Sequence, residues 1–531
     1  MVPSSSSSSG SGGSSNKMLD QKLLSAALQH MTKVHGVSPR PYDGDACADL
    51  LQLCGSRLHE FDAQGLAILV RTAAKLGHRL TTAWLVSWAD AALDRLQEFK
   101  PQDLANSIYA IGRMGQRLPA AALRHFSAAT ISACPSMLPL ELAPTLLGLA
   151  HMGASPHEAT AAAEALLQEG ARRVSAFSPQ ELSNLLWAYS KVTDLPSWQR
   201  CGGLLGRLLD EVERRGARGL FLAQETNALL LAQANTAYYH PGALEVLFRH
   251  VTDDLIKLEG QHLGNTLLAL GLLPHPGTAP LPTLSPPQLV DPCRELSEQG
   301  PGIEGGPGTA RHITWAQIVA LREEVERRLW RRPAKPSQAL SSQAVCHALW
   351  GLAALEACTE SFWQSAMCSL KETHWQEGGA GYGQLHHAAL LLESQGCQWA
   401  VLPRPIAELA QEAIEAVHEQ WVSPLQGEVS ALLDSIGYQH EAEYVPVEGL
   451  SPVDLAMPGA KLAIEVDGPR HFTSNQVQGH HYYPLGRTLL RNRLLTAHGW
   501  RILAVPYYVW RDLHGRQEKQ EWLAGQLKCL L

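Results

Sequence analysis

An internal repeat with a period near 38 residues restricts the folds open to this chain more than any other feature. Eight segments share one pattern of leucines and small residues, and their fourth residues are Leu66, Leu104, Leu142, Leu182, Thr226, Leu263, Val345 and Leu385. The steps between these anchor residues are 38, 38, 40, 44, 37, 82 and 40 residues. Self-similarity at such a period is typical of repeat proteins, in which each unit buries its apolar face against its neighbours. The sequence therefore predicts an array rather than one closed core.

Each repeat is predicted to be a helical hairpin. In the segment at 101–115, the residues Leu104, Ile108 and Ile111 fall on one helical face, and Pro101 stands where a first-turn proline is tolerated. A second amphipathic stretch, such as LPAAALRHFSAATIS, separates successive segments. Stacked hairpins of this kind form an α-solenoid, predicted here over residues 18–425. The step of 82 residues contains one ordinary repeat and an insertion, whose Pro/Gly-rich stretch at about 273–308 is predicted to be disordered.

Composition and charge exclude several classes of protein. The 43 Lys and Arg against 51 Asp and Glu give a net charge of −8, so nucleic-acid binding would depend on local patches. The ten cysteines form no CxxC pair, which argues against a zinc site or a disulfide framework. No apolar run reaches the roughly 18 residues of a membrane span, so no membrane insertion is expected. The Ser/Gly tract at 1–17 is either a flexible tail or a targeting segment.

The repeat resembles a known family. The pattern P-x-E/D-L-A/S-N-x-L-W-A-x-x-K-x-G, seen best in PQELSNLLWAYSKV and PQDLANSIYAIGRMG, is similar to the octotricopeptide repeat of organelle proteins, over roughly 60–400. Related helical segments occur in the FAST kinase-like mitochondrial proteins. The resemblance implies binding to organellar transcripts and a part in their processing, stability or translation.

The repeat pattern ends near Pro424, and an α/β domain is predicted over 426–531. A helix at 427–438 is followed by an extended stretch, a strand at 461–468, a helix at 488–500 and a strand that opens the segment 501–510. The string LAIEVDGPRHF and the later LLRNRLLTAHGWRILAVPYYVW strongly resemble the RAP domain over 461–520, an RNA-binding module that commonly follows such helical repeats. The predicted fold is thus an α-solenoid followed by a small α/β domain.

The RAP domain is in turn similar to a reduced restriction-endonuclease fold, and this implies a set of candidate catalytic residues. The acidic candidates are Glu428, Asp454, Glu465 and Asp467. The endonuclease motif E-x-K is here Glu465-Val466-Asp467, so its cation would have to come from Lys461, expected on the same strand face as Glu465, or from Arg491. Two alternatives remain open: an endoribonuclease that uses Mg²⁺ or Mn²⁺ held by Asp454 and Glu465, or a retained binding surface that needs no cofactor.

Candidate RNA-binding residues lie in both regions. In the C-terminal region they are Arg470, His471, Arg487, Arg491, Arg493 and Tyr507, from a stretch that combines arginines and aromatic residues without acidic ones. In the array, Asn106, Asn184, Asn265, His347 and His387 occupy the position two residues after the anchor, off the apolar face. Such a position reads one base per repeat in modular RNA-binding solenoids. The competing interpretations are a solvated helix face with core aromatic residues, and asparagines that fix the stacking of repeats.

Together these features predict an organellar RNA-binding factor, in a mitochondrion or chloroplast, that acts on specific transcripts. The expected partners are single-stranded mRNA or rRNA, with RNA-processing or ribosomal proteins as further candidates. The alternatives are the metal-dependent endoribonuclease and a protein-interaction scaffold, which the net charge of −8 and the aliphatic first repeat would suit.

Overall fold

The computed structural model describes residues 44–273, 313–371, 380–415 and 423–531, except 332, 334, 448–449 and 478–481, together with a few positions between 23 and 30. The Ser/Gly tract at 1–17 and all but the first residue of the predicted insertion at 273–308 lie outside the described residues. The chain divides into two compact units, Met1–Glu211 and Val212–Leu531.

The first unit consists of paired helices. Its helices are α1 (Gly44–Gly55), α2 (Ala63–Lys75), α3 (Thr82–Asp94), α4 (Pro101–Arg113), α5 (Ala120–Ala133), α6 (Pro139–His151), α7 (Pro156–Arg172), α8 (Pro179–Val192), α9 (Leu195–Arg200) and α10 (Gly202–Gly216), which crosses the boundary between the units. The four repeat segments of this unit are α2, α4, α6 and α8, called A helices below, and the helices between them are B helices. Each A helix contacts the next A helix, as the solenoid prediction requires.

The second unit continues the same alternation and then changes. Its repeat helices are α11 (Ala223–Thr236), α12 (Pro241–Asp253), α13 (Gly260–Leu272), α14 (Trp315–Trp330), α15 (Ser342–Ala354), α16 (Glu360–Lys371), α17 (Ala380–Ser394) and α18 (Arg404–Glu415). Here α11, α13, α15 and α17 are the A helices, and each contacts the next. All eight predicted repeat segments are therefore helical, and the predicted α-solenoid is confirmed.

The Pro-x-acid motif of the repeat has a direct structural reason at the start of α4, α6 and α8, the A helices that carry it. In α4 the backbone N–H of Lys100 donates to Oδ2 of Asp103 at 3.1 Å, and in α6 the N–H of Leu138 donates to Glu141 at 2.8 Å. The acid thus satisfies an N–H group at the helix start, while proline at the first helical position has no N–H to leave unpaired. The glycine that closes the motif, such as Gly115, ends the helix with a φ of 63°.

Small residues allow the A helices to approach closely. A Cβ atom on Gly148 of α6 would lie 2.5 Å from the carbonyl oxygen of Ile108 in α4, and one on Gly112 would collide with the backbone of Gly148. No side chain fits at such distances, so this contact requires glycine on both helices.

The C-terminal segment forms a four-stranded sheet with helices around it. Its elements are α19 (Pro424–Ser435), β1 (Glu441–Tyr444), β2 (Val453–Met457), β3 (Leu462–Glu465), α20 (Gly486–Ala497), β4 (Arg501–Ala504), α21 (Tyr507–Asp512) and α22 (Gly515–Leu530). The strand order is β1-β2-β3-β4, with antiparallel pairs β1–β2 and β2–β3 and a parallel pair β3–β4. Val429, Leu455, Ile464, Leu503 and Trp510 belong to its buried core. The predicted small α/β fold is confirmed.

The predicted strand order was wrong in one respect. The extended stretch at 443–458 contributes to two strands rather than one, so the order is β-β-β-α-β. Pro446 and Pro452 lie between β1 and β2. Because proline cannot donate to a ladder, it ends pairing there and lets the chain fold back as an antiparallel pair.

Candidate nucleic-acid interface

Three of the predicted acidic residues converge on one side of the sheet. Asp454 lies in β2, Glu465 ends β3 and Asp467 follows two residues later. The antiparallel register pairs Leu455 with Ile464, which sets Asp454 across from Glu465. Pairing with β4 continues past β3, since the N–H of Asp467 donates to the carbonyl of Val505 at 3.0 Å. Glu465 and Asp467 therefore share a face, as alternation along a strand predicts.

Glu465 is deeply buried and has a cationic partner. Its side chain is 3% exposed, and Nε of Arg491 in α20 lies 2.9 Å from Oε1. Arg491 also donates to the carbonyl of Pro452. Burial raises the pKa of Glu465 to about 7, although the Arg491 charge opposes the rise. Of the two cations that the sequence offered as partners for Glu465, Lys461 and Arg491, the structure places Arg491 beside it.

Asp467 and His471 form a second pair beside it. Nδ1 of His471 lies 2.7 Å from Oδ1 of Asp467, whose side chain is 2% exposed. Oδ2 of Asp467 is buried and has no hydrogen-bond partner among the described residues. Burial disfavours the imidazolium of His471, but the hydrogen bond to Asp467 and the neighbouring carboxylates outweigh it and raise the pKa of His471.

Two of the predicted catalytic residues lie elsewhere. Glu428 in α19 accepts hydrogen bonds from Nε1 of Trp510 at 2.9 Å and from Nζ of Lys519 at 2.8 Å. Lys461 is exposed and precedes β3 with a left-handed φ of 47°, so the prediction that it shares the strand face of Glu465 was wrong. The physical reason is the short 3₁₀ turn Pro458–Ala460, which ends at Lys461 and turns the chain before the strand begins.

The carboxylate group does not fit a divalent cation in this arrangement. Mg²⁺ and Mn²⁺ need ionised oxygen ligands with free lone pairs. Glu465 is already paired with Arg491, and Oδ2 of Asp454 accepts the N–H of Val466 at 2.7 Å. Within the described residues, no group of three or more His, Cys, Asp or Glu side chains could hold a metal ion. The site is an ion-pair cluster rather than a metal cradle.

The four predicted RNA-binding arginines divide into two exposed and two engaged side chains. Arg470 and Arg487 are exposed. Arg491 is bound to Glu465, and Nη1 of Arg493 donates to the carbonyl of Ala354 at 3.1 Å and lies 3.1 Å from Oε1 of Glu356. The engaged pair therefore holds the fold together, and the exposed pair contributes cationic surface, although partial burial lowers the pKa of Arg487.

The predicted stacking residue Tyr507 belongs to a cluster of rings. Its ring centroid lies 5.5 Å from that of Tyr508, 5.9 Å from that of Tyr482 and 6.1 Å from that of Phe472. Phe472 is buried, whereas the three tyrosines are half-buried. Packing against other rings is thus the main role that the structure shows for Tyr507.

The polar repeat position forms a hydrogen-bonded ladder in the second unit. Nδ2 of Asn265 donates to Oδ1 of Asn227 at 3.2 Å, and Nδ1 of His347 lies 3.0 Å from Oδ1 of Asn265. These contacts link α11, α13 and α15, which matches the competing interpretation of stacking better than base reading. Asn227 was missed because it stands one position earlier in its repeat, the poorest copy of the motif.

The remaining members of that position have different surroundings. Burial lowers the pKa of His387 to about 4, and the nearby charges of His386, Arg487 and Arg491 lower it further. Asn106 and Asn184, in the first unit, are half-buried on α4 and α8.

The α/β segment docks on the A helices of the second unit. Its helix α20 contacts α13 and α17. A Cβ on Gly486, the first residue of α20, would collide with the carbonyl of Gly271 near the end of α13. Asn475 exchanges two hydrogen bonds with the backbone of Tyr239, at 2.9 and 3.0 Å, and the N–H of Ser474 donates to the carbonyl of Ala237 at 2.8 Å.

These observations define a helical-repeat protein with a C-terminal α/β module, and the comparisons identify that module. Residues 464–525 match the model of the RAP domain family, which confirms the predicted RAP domain. The chain is also 35% identical over 106 residues to "RAP domain-containing protein, chloroplastic" of Oryza sativa subsp. japonica. That alignment covers 20% of this chain and 16% of the rice protein. No helix in the described parts of the chain is long and apolar enough to cross a membrane.

Proposed function

We propose that this protein is a chloroplast RNA-binding factor that controls specific transcripts after transcription. The observation that carries the proposal is the attachment of a RAP domain, a candidate RNA-binding module, to an α-solenoid within one chain. Solenoids present long repetitive surfaces that suit an extended polymer. The name of the rice relative, to which this chain is similar in one region, favours the chloroplast over the mitochondrion.

In this function the RAP domain acts from a fixed position, packed on the helices of the second unit, and is not joined to them by a flexible linker alone. Arg493 binds it to the end of α15 and Asn475 to the connection between α11 and α12, while Arg470 and Arg487 stay exposed for contact with phosphate. Control of processing, stability or translation then follows from protecting an mRNA or rRNA segment, or from recruiting processing or ribosomal proteins to it.

The test is crosslinking of the full-length protein to RNA in the organelle, followed by sequencing of the bound fragments. We expect one or a few short, reproducible footprints in chloroplast transcripts. A variant with Arg470→Gln and Arg487→Gln should keep the footprint positions with reduced recovery. Footprints that differ between replicates, or RNA recovery equal to that of an unrelated protein, would refute the proposal.

The endoribonuclease alternative has one observation in its favour, the convergence of Asp454, Glu465 and Asp467. Against it, Arg491 neutralises Glu465 and the cluster does not fit Mg²⁺ or Mn²⁺. Incubating purified protein with RNA and each metal decides between the two functions. Cleavage that disappears in Asp454→Ala would establish the enzyme. We expect no cleavage that depends on Asp454.

A further inference from the structure

A row of basic residues runs across the A helices of the first unit. The position nine residues after each anchor holds Lys75, Arg113, His151 and Lys191, in α2, α4, α6 and α8. All four side chains are exposed. The row therefore places one basic residue on each of four consecutive A helices.

Aromatic and polar side chains accompany this row on the same helical face. Positions two, five and nine after an anchor fall within about 60° of one another at 100° per residue. Position five holds Arg71, Tyr109 and Trp187 in three of the helices. The rings of His151 and Trp187 lie 5.7 Å apart, and Nζ of Lys191 lies 5.8 Å from the Trp187 ring.

A groove of about 250 Å³ lies between α2, α4 and α6 on this face. Its lining includes Arg71, Lys75, Asn106, Tyr109 and Arg113, so cations, an amide and an aromatic ring line the same cavity. The one acid in the lining, Glu141, accepts the backbone N–H of Leu138 at the start of α6. This combination can hold phosphate through the cations and a base through the ring and amide.

The cations of the row have no acidic partners on their own helices. In α4, α6 and α8, each acid stands in the first turn and caps the helix start, as Asp103, Glu141 and Glu181 do. Among the described residues, Arg71, Lys75, Arg113 and Lys191 form no ion pair. A favourable interaction with the helix dipole accounts for a cation in a last turn, but not for the adjoining rings and groove.

The second unit uses the corresponding face differently. There the position nine residues after the anchor holds Asn235, Leu272, Ala354 and Ser394, none of which is basic. The RAP domain contacts the ends of these helices: Gly486 meets Gly271, and Arg493 donates to the carbonyl of Ala354. The face that is basic and open in the first unit is therefore a docking surface for the RAP domain in the second.

We propose that the open face of the first unit is the track for single-stranded RNA, and that the covered helices of the second unit take no part in base reading. The proposal deepens the RNA-binding function proposed above and rests on it. Phosphates lie along Lys75, Arg113 and Lys191, and bases stack on Tyr109 and Trp187. One base per repeat gives a footprint of about four nucleotides on this track, rather than about eight for the whole array.

The test compares two triple variants of the full-length protein. The first is Lys75→Gln, Arg113→Gln, Lys191→Gln. The matched control, Lys100→Gln, Arg124→Gln, Arg172→Gln, also removes three exposed cations, from the start of α4 and from the B helices α5 and α7. The probe is an unstructured RNA of about 20 nucleotides, and affinity is measured across a salt series.

The slope of log K against log salt is negative, and losing three phosphate contacts should make it less steep by about 2. Near 0.1 M salt this corresponds to an affinity about 100-fold weaker than that of the wild type. The control triple should change affinity less than about threefold. Equal losses in both triples would mean that only net charge matters and would overturn the track. If the wild-type protein itself fails to bind RNA, the proposed function fails first.

A second variant tests the stacking part of the track. Trp187→Leu should weaken binding about tenfold with an unchanged salt slope, because stacking involves no counterion release. Ultraviolet crosslinks should map to peptides of α4, α6 and α8. Crosslinks confined to α13, α15 and α17 would contradict the proposal, and binding of an acidic protein in place of RNA would reassign the surface.

Discussion

Replacing Glu465 with glutamine should remove a loss of stability that the sheet of the RAP domain undergoes as pH rises. The pKa of this buried acid rises from 4.5 to about 7 in the folded protein, mainly because of burial. A raised pKa of an acid stabilises the fold fully below the unfolded value, and this contribution is lost as pH rises through the folded value. The protein therefore loses this stability between pH 4.5 and about pH 7.

The magnitude follows from the size of the shift. A rise of the pKa from 4.5 to about 7, at 1.36 kcal/mol for each tenfold change, corresponds to about 3 kcal/mol, with the charge of Arg491 already included. Glutamine preserves the shape but cannot ionise. The free energy of opening the sheet in Glu465→Gln, relative to wild type, should therefore increase by up to about 3 kcal/mol from pH 5 to pH 8.

The assay is hydrogen exchange of the full-length protein, read on peptides that contain β3 and β4 and corrected for the intrinsic effect of pH on exchange. The matched control is Glu428→Gln. Its hydrogen bond with Lys519 lowers the pKa of Glu428, so this acid stays ionised in both states above about pH 5 and the difference from wild type should be flat. A flat difference for Glu465→Gln as well would refute the assignment of a buried, partly protonated acid.

Three further substitutions, one of them with a matched control, test the packing. Gly148→Ala should destabilise the first unit by several kcal/mol in thermal unfolding because its Cβ has no room against Ile108, whereas Gly203→Ala, with open space around its Cβ, should change stability by less than about 1 kcal/mol. Arg328→Met should cost about 3 kcal/mol, measured by denaturant unfolding, because it removes a buried ion pair with Glu324 and hydrogen bonds to backbone carbonyls in the second unit. Gly486→Ala should loosen the RAP domain, seen as faster hydrogen exchange in α13 and α20 with the α2–α8 peptides unchanged; unchanged exchange in α13 would show that this contact does not hold the domain.

The sequence predicted the helices well because their signals are local and repeated. In the clearest copies, α4 and α6, a proline, an acid two residues later and a glycine just after the helix all act locally. The two errors in the α/β segment have a different origin. The stretch at 443–458 looks uniformly extended in the sequence. The left-handed turn at Lys461 lacks the glycine that usually indicates a positive φ.

The candidate site was predictable only where strand alternation applies. Glu465 and Asp467 share a face for that reason, and Asp454 joins them through register. Whether Arg491 or Lys461 pairs with Glu465 depends on how α20 lies beside the sheet, which no local pattern encodes. The same limit applies to Asn265 and His347, whose hydrogen bond joins repeats 82 residues apart.

The position nine residues after the anchor shows why a repeat must be read together with its tertiary context. In one compact unit the residue is Lys, Arg, His and Lys, and in the other it is Asn, Leu, Ala and Ser. A long cation at Ala354 would have to share the space in which Arg493 reaches the carbonyl of that residue, and like charges would meet. The absence of a basic residue at position 354 thus suits the docking of the RAP domain there. In the first unit, by contrast, the exposed cations Lys75, Arg113 and Lys191 suit an anionic partner; burial lowers the pKa of His151, which therefore adds a neutral ring to the row.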